Sequence, residues 1–77
     1  MTLAHLLRRD PEKNLARFYH IDVAPTLFGE VSVMRSWGRI GTRGRTVVET
    51  WATGEGADAA KSKTIRAKLK RGYVDAS

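Results

Sequence analysis

The stretch Trp-Gly-Arg-Ile-Gly-Thr-Arg-Gly-Arg at residues 37–45 decides how this chain folds, because strand-like sequence flanks it on both sides. Residues 30–39 alternate, with Arg35 and Trp37 on the same face, as in a strand. Residues 45–52 are rich in β-branched and aromatic side chains, which favour another strand. Two glycines between them tolerate the positive φ angles of a turn. The stretch therefore predicts an antiparallel hairpin with a basic tip.

Upstream, residues 16–24 also alternate, which predicts a strand, and a loop at residues 25–29 follows it. Residues 2–9 fit either a helix or a strand, since their leucines suit both periods. Asp10 and Pro11 should end that segment, in a turn or in the first turn of a short helix.

Downstream, helix-forming residues dominate from Ala57 to Arg71, and Gly72 suits the left-handed position after a helix. One row of the helix, through Asp58, Ser62, Ile65 and Leu69, is expected to face the sheet. The predicted class is α+β, a small antiparallel sheet with one C-terminal helix packed across it. The predicted core residues are Tyr19, Ile21, Trp51, Ile65 and Leu69.

Length and charge limit the possible functions. The 77 residues allow one domain, residues 1–77, and the absence of cysteine excludes disulfides and thiolate metal sites. A net charge of +6 favours a polyanionic partner, nucleic acid before an anionic membrane. Without a long apolar run or a signal-peptide pattern, the chain is predicted to be cytoplasmic.

Aromatic and arginine side chains around residues 37–45 are the best candidates for binding, since no acidic residue occurs from Arg35 to Val48. Guanidinium groups hold phosphates in bidentate fashion, and an indole offers a stacking platform. Two alternatives remain: Trp37 could stack on Arg35 within the fold, and the basic tip could be solvated charge. The candidate nucleic-acid-binding residues are Arg35, Trp37, Gly38, Arg39, Arg43 and Arg45.

The predicted helix carries a second basic ridge of Lys63, Arg66 and Lys70, for which only a secondary electrostatic role is expected. The sequence contains no Ser-His-Asp set and no paired carboxylates in one segment. Its two histidines are isolated, so it indicates no enzyme activity, no metal and no cofactor.

Trp37-Gly38-Arg39, followed by Gly41 and Gly44, resembles the signature of WGR domains. The Arg-Phe-Tyr run at residues 17–19 and the Gly-Tyr pair at 72–73 are similar to further family motifs, so the resemblance covers about residues 14–74. The residues at 22–23 and 27–29 look like those of a bacterial branch of stand-alone WGR proteins. Such domains occur in poly(ADP-ribose) polymerases and in bacterial proteins linked to molybdate regulation.

In the polymerases the domain binds DNA near a strand break. The resemblance implies that Trp37 packs on the sugar of a terminal nucleotide and that Gly38 allows close backbone approach. It also implies that Arg39 contacts phosphate or bridges to a neighbouring domain. Polymerase activity is not implied. Two functions follow as hypotheses: a nucleic-acid-binding module, for DNA more than RNA, or a protein-interaction adaptor or accessory subunit of a separately encoded enzyme.

Overall fold

The computed structural model describes residues 2–76, which form a five-stranded antiparallel sheet with one α-helix. The elements are β1 (Thr2–Asp10), β2 (Leu15–Pro25), β3 (Val31–Arg39), β4 (Arg45–Trp51), α1 (Gly54–Lys70) and β5 (Val74–Asp75). The strands lie in the order β4-β3-β2-β1-β5, and each pairs antiparallel with its neighbour. The predicted α+β class and the three predicted strands are confirmed.

The N-terminal segment, which fitted two patterns, is strand β1 and not a helix. It pairs with β2 over its whole length, with Leu6 opposite Tyr19. In this register the Leu6 side chain is only 1% exposed. A single turn of 3-10 helix at Pro11–Lys13 and a left-handed Asn14 (φ 51°) then reverse the chain. Strand β5 was not predicted, since two residues are too few to show a period.

Helix α1 starts three residues earlier than expected and ends at Lys70, one residue before the predicted Arg71. Its first turn is capped because the Thr53 hydroxyl accepts a hydrogen bond of 3.0 Å from the Gly56 N–H. At the other end Gly72 has φ 100°, and its N–H donates to the Leu69 carbonyl at 3.1 Å. The Tyr73 N–H donates to the Lys68 carbonyl, also at 3.1 Å. These two bonds form a Schellman motif, which turns Tyr73 back under the helix.

The core lies between α1 and one face of the sheet. Its buried cluster consists of Leu6, Tyr19, Ile21, Val23, Val33, Ala57 and Tyr73, with Trp51 and Ile65 partly buried against it. The prediction that Leu69 belongs to this core is wrong, because its side chain is 45% exposed.

The helix faces the sheet with a different row from the one predicted. The row that turns inward runs through Ala57, Lys61, Thr64 and Lys68, whereas the neighbouring row through Asp58 and Ser62 is exposed. Ile65 lies at the border of the two rows, so Leu69, one turn further along, points past the sheet. Small side chains determine this choice, because Ala57 is fully buried where a larger residue would hold the helix away. Among the described residues, no helix has the length and apolarity needed to cross a membrane.

Candidate nucleic-acid interface

A cavity of about 580 Å³ opens on the helix side of the sheet, at the end where β2 begins and β3 ends. We call it the basic groove. Four cationic and three aromatic residues line it. No acidic side chain of the described residues lines it. The cations are Lys13, Arg17, Arg39 and Lys68, and the aromatic residues are Phe18, Trp37 and Tyr73.

Three arginines stand in register across three neighbouring strands beside the groove. Arg8 of β1 lies opposite Arg17 of β2, and Arg17 lies opposite Arg39 of β3. Residues directly opposite in a sheet share a face, so this arginine row lies on the helix side and spans about 10 Å, two strand spacings. Like charges directly opposite each other destabilise a sheet. An anion bound along the row would relieve that repulsion.

Arg39 is held in place by the turn that connects β1 to β2. Its Nη1 donates to the Asn14 backbone carbonyl at 3.2 Å, and its Nη2 donates to Asn14 Oδ1 at 3.3 Å. Asn14 adopts the left-handed conformation that a short polar side chain tolerates. The guanidinium is therefore oriented before any ligand arrives.

Lys68 reaches into the groove from the last turn of α1. Its Nζ lies 4.7 Å from the centroid of the Tyr19 ring and 5.2 Å from that of Tyr73, within the range of cation–π contacts. Burial lowers the pKa of Lys68, and the positive charges of Arg71 and Arg17 lower it further. The groove is thus a region of positive potential that an anion would stabilise.

Trp37 forms the wall between the basic groove and a second groove of about 360 Å³. The indole is half-buried and stacks with Tyr19, with ring centroids 6.3 Å apart and planes 21° from parallel. The partly exposed position predicted for Trp37 is confirmed. Its neighbour in the stack is a tyrosine of the core, and not Arg35.

Arg35 shares the face of Trp37, as predicted, but its charge is already paired. Its guanidinium forms an ion pair with Glu49 of β4, and both line the second groove. Glu49 directly follows the stretch from Arg35 to Val48, which contains no acidic residue. A role in phosphate binding is therefore less well supported for Arg35 than for Arg17 or Arg39.

Gly38 is explained by the hairpin itself. A Cβ at this position would lie 2.7 Å from the Gly44 Cα and 3.5 Å from the Phe18 ring. Gly44, at φ 66°, has equally little room, because a side chain there would collide with the Trp37 carbonyl. The two glycines let β3 and the start of β4 approach each other over Phe18. Gly38 nevertheless lines the basic groove, so a ligand can reach its backbone.

The remaining candidates do not converge on the basic groove. Arg45 is exposed beside the groove, directly opposite Trp37 in the β3–β4 register. Arg43 lines a cavity of about 470 Å³ with His5, His20 and Phe18 on the opposite face of the sheet. The helix ridge of Lys63, Arg66 and Lys70 is exposed and lines none of these three cavities.

Several residues that line the basic groove were not among the predicted binding residues. Arg17 could have been placed by its period-2 relation to Tyr19, since both side chains must lie on one face. Lys68 and Tyr73 could not, because their positions depend on which helical row faces the sheet. Within residues 2–76, no three metal-ligating side chains come together.

These features define a class of small, basic domain in which an antiparallel sheet and one helix present an aromatic groove lined by cations. Residues 2–77 match the model of the WGR domain, and the chain belongs to that family.

The chain is 42% identical over 66 residues to the protein y4dW of Sinorhizobium fredii, covering 86% of this chain and 32% of y4dW. It is 38% identical over 40 residues to the protein YehF of Escherichia coli, covering 52% of this chain and 15% of YehF.

The fold also matches a crystal structure of a protein from Bacteroides fragilis. The TM-score is 0.83 at 29% identity, and the match covers 99% of this chain and 20% of that one. The chain therefore spans a third or less of the length of each of these three relatives.

Proposed function

We propose that this domain binds DNA through the basic groove, with little regard to sequence and with a preference for strand ends or nicks. The observation that supports this most is the row of Arg8, Arg17 and Arg39 beside a groove that the half-buried Trp37 lines and that no carboxylate of residues 2–76 lines. A row of cations a strand spacing apart suits a chain of phosphates. The WGR family adds support, since in poly(ADP-ribose) polymerases such domains bind DNA breaks.

Different residues of the basic groove contact different parts of the DNA in this proposal. Arg17 and Lys68 contact backbone phosphates, and Arg39, oriented by Asn14, holds the phosphate nearest the end. Trp37 packs on the terminal sugar, where a duplex that ends allows the indole to approach. Arg43 contacts phosphates outside the groove, and Arg45 adds positive charge beside it. The proposed role of the domain is to bind DNA in the cytoplasm without catalysing a reaction.

Weak sequence preference follows from the side chains available. Bases are read in the grooves of DNA by hydrogen bonds, and adenine in particular by Asn or Gln amides. Asn14 is the only Asn or Gln in the chain, and its Oδ1 already accepts from Arg39. Contacts to phosphate and sugar carry no sequence information.

Affinity for duplex DNA should fall steeply with salt. With about 3–5 phosphates neutralised, we expect a log–log slope of about −3 to −4.5 in a fluorescence anisotropy titration over a salt series. Arg17→Ala should make the slope shallower by about one unit. Arg66→Ala removes the same charge from the outer helix surface and should leave the slope nearly unchanged. A flat salt dependence for the unmodified protein would contradict phosphate binding.

A protein-interaction adaptor is the second candidate function. It is favoured by two large apolar side chains in the β2–β3 loop, Leu27 at 97% exposure and Phe28 at 86%. If the domain is an adaptor, Arg39 contacts a protein partner instead of DNA. The two candidates differ in one observable, because an adaptor shows no binding to DNA even at low salt.

A further inference from the structure

Strand β4 lies at the edge of the sheet and is poorly protected against pairing with another strand. Within residues 2–76 it pairs with β3 on one side only. Its seven residues include no proline and no lysine, two of the residue types that most often protect an edge, and its charged residues are Arg45 and Glu49. Two of its valines are exposed, Val47 at 41% and Val48 at 60%. An edge of this kind is a template for a further strand.

The charges of β4 fit a second copy of the same strand. Arg45 and Glu49 are four residues apart and share the helix-side face, and Val47 lies midway between them. If two β4 strands pair antiparallel about a two-fold axis at Val47, each Arg45 lies directly opposite Glu49 of the other copy. Pairing about Val48 instead would place Arg45 opposite Trp51 and form no ion pair. Only the register centred on Val47 satisfies both charges.

The groups needed for these ion pairs are accessible. Arg45 is exposed, and among the described residues it has no ion pair or hydrogen-bonded side chain. The Glu49 side chain is 40% exposed although Arg35 contacts it. A carboxylate accepts about four hydrogen bonds, so Glu49 can hold both guanidinium groups.

We propose that this domain forms a two-fold symmetric dimer through β4, with Val47 facing its own copy across the axis. The two sheets then become one continuous sheet. Since residues directly opposite share a face, both helices and both basic grooves lie on the same side. This last consequence rests on the proposed function, because it would allow one dimer to hold two DNA segments. The dimer itself is independent of it.

Cysteine cross-linking tests the register in the absence of DNA. The chain contains no cysteine, so each variant carries a single thiol. Val47→Cys should form an intermolecular disulfide rapidly on mild oxidation, because side chains directly opposite approach within about 4.5–5.5 Å. Val48→Cys is the matched control, since its copies are diagonal and about 7–8 Å apart. Equal linking by both variants, or none by Val47→Cys, would overturn the proposal.

Sedimentation equilibrium tests the ion pairs, again without DNA. The unmodified protein should dimerise with rising concentration, and Arg45→Glu should weaken the dimer by about tenfold or more, because like charges then stand opposite each other. Arg43→Glu makes the same charge change outside the strand and should leave dimerisation intact. Each variant must keep the circular dichroism and melting temperature of the unmodified domain. A protein that stays monomeric at every concentration, or an Arg45→Glu variant that dimerises as tightly, would disprove the dimer.

Discussion

Trp37→Ala is expected to reduce affinity for DNA ends or nicks by about 5- to 150-fold while leaving weak internal binding nearly intact. The magnitude corresponds to the loss of one stacking contact, worth about 1–3 kcal/mol. The indole is positioned for such a contact because it is half-buried, forms a wall of the basic groove and is braced from behind by Tyr19. Parallel anisotropy titrations with nicked, blunt and closed duplexes measure the effect.

Arg43→Ala is the comparison variant for this experiment. A phosphate contact carries no information about ends, so this change should weaken all three duplexes alike and reduce the salt slope by about one unit. Its position on the other side of the sheet makes it independent of the groove. Because Trp37 also packs against the core, Trp37→Ala must be shown to remain folded by circular dichroism. If the folded variant binds ends as tightly as before, Trp37 does not contact a terminal sugar.

Ile21→Ala is expected to lower the free energy of unfolding by about 2–5 kcal/mol, a large share of the stability of a small domain. Ile21 is fully buried in the central strand β2, where the cavity left by the truncation has little room to collapse. Leu69→Ala removes a similar number of atoms but should cost well under half as much, since Leu69 is 45% exposed. Urea denaturation of the two variants measures the difference directly.

That pair of variants also tests which helical row faces the sheet. If Leu69→Ala proves as destabilising as Ile21→Ala, α1 packs through the row of Ser62, Ile65 and Leu69. The packing described above would then be wrong. Unchanged stability for Ile21→Ala would contradict the placement of β2 at the centre of the core.

The sequence predicted most of the fold because the strands bury one face, and one-sided burial leaves a clear alternation in residues such as Tyr19, Ile21 and Val23. The C-terminal cap of α1 was equally predictable, because a glycine directly after a helix commonly adopts the left-handed conformation that ends it, as Gly72 does. The helical row was not, because α1 has few large apolar residues and two adjacent rows looked alike. Alanine and the stem of a lysine fill the interface, and neither marks a face by its hydrophobicity.

The candidate site was only partly predictable, for a reason of topology. Trp37 and Arg39 stand in one conspicuous stretch, but Arg8 and Arg17 join them through strand pairing across more than twenty residues of sequence. The sequence around residue 37 also overstated the role of Arg35 in phosphate binding, because the partner of its charge, Glu49, lies on the neighbouring strand. Arg43, six residues from Trp37, lines a cavity on the opposite face after the chain turns. The arginines that are close in the sequence are therefore not the same arginines that strand pairing brings together on one face of the sheet.

The most direct test of the proposed function compares two duplexes of the same sequence and length, one with open ends and one closed at both ends by hairpin loops. Their phosphate density along the duplex is the same, so non-specific electrostatic attraction is matched between them. We predict that the domain binds the open duplex at least several-fold more tightly, and that a single nick in the closed duplex restores the tight binding. Equal affinity for all three would show that the groove does not recognise ends. No binding to any of them at low salt would contradict DNA binding altogether.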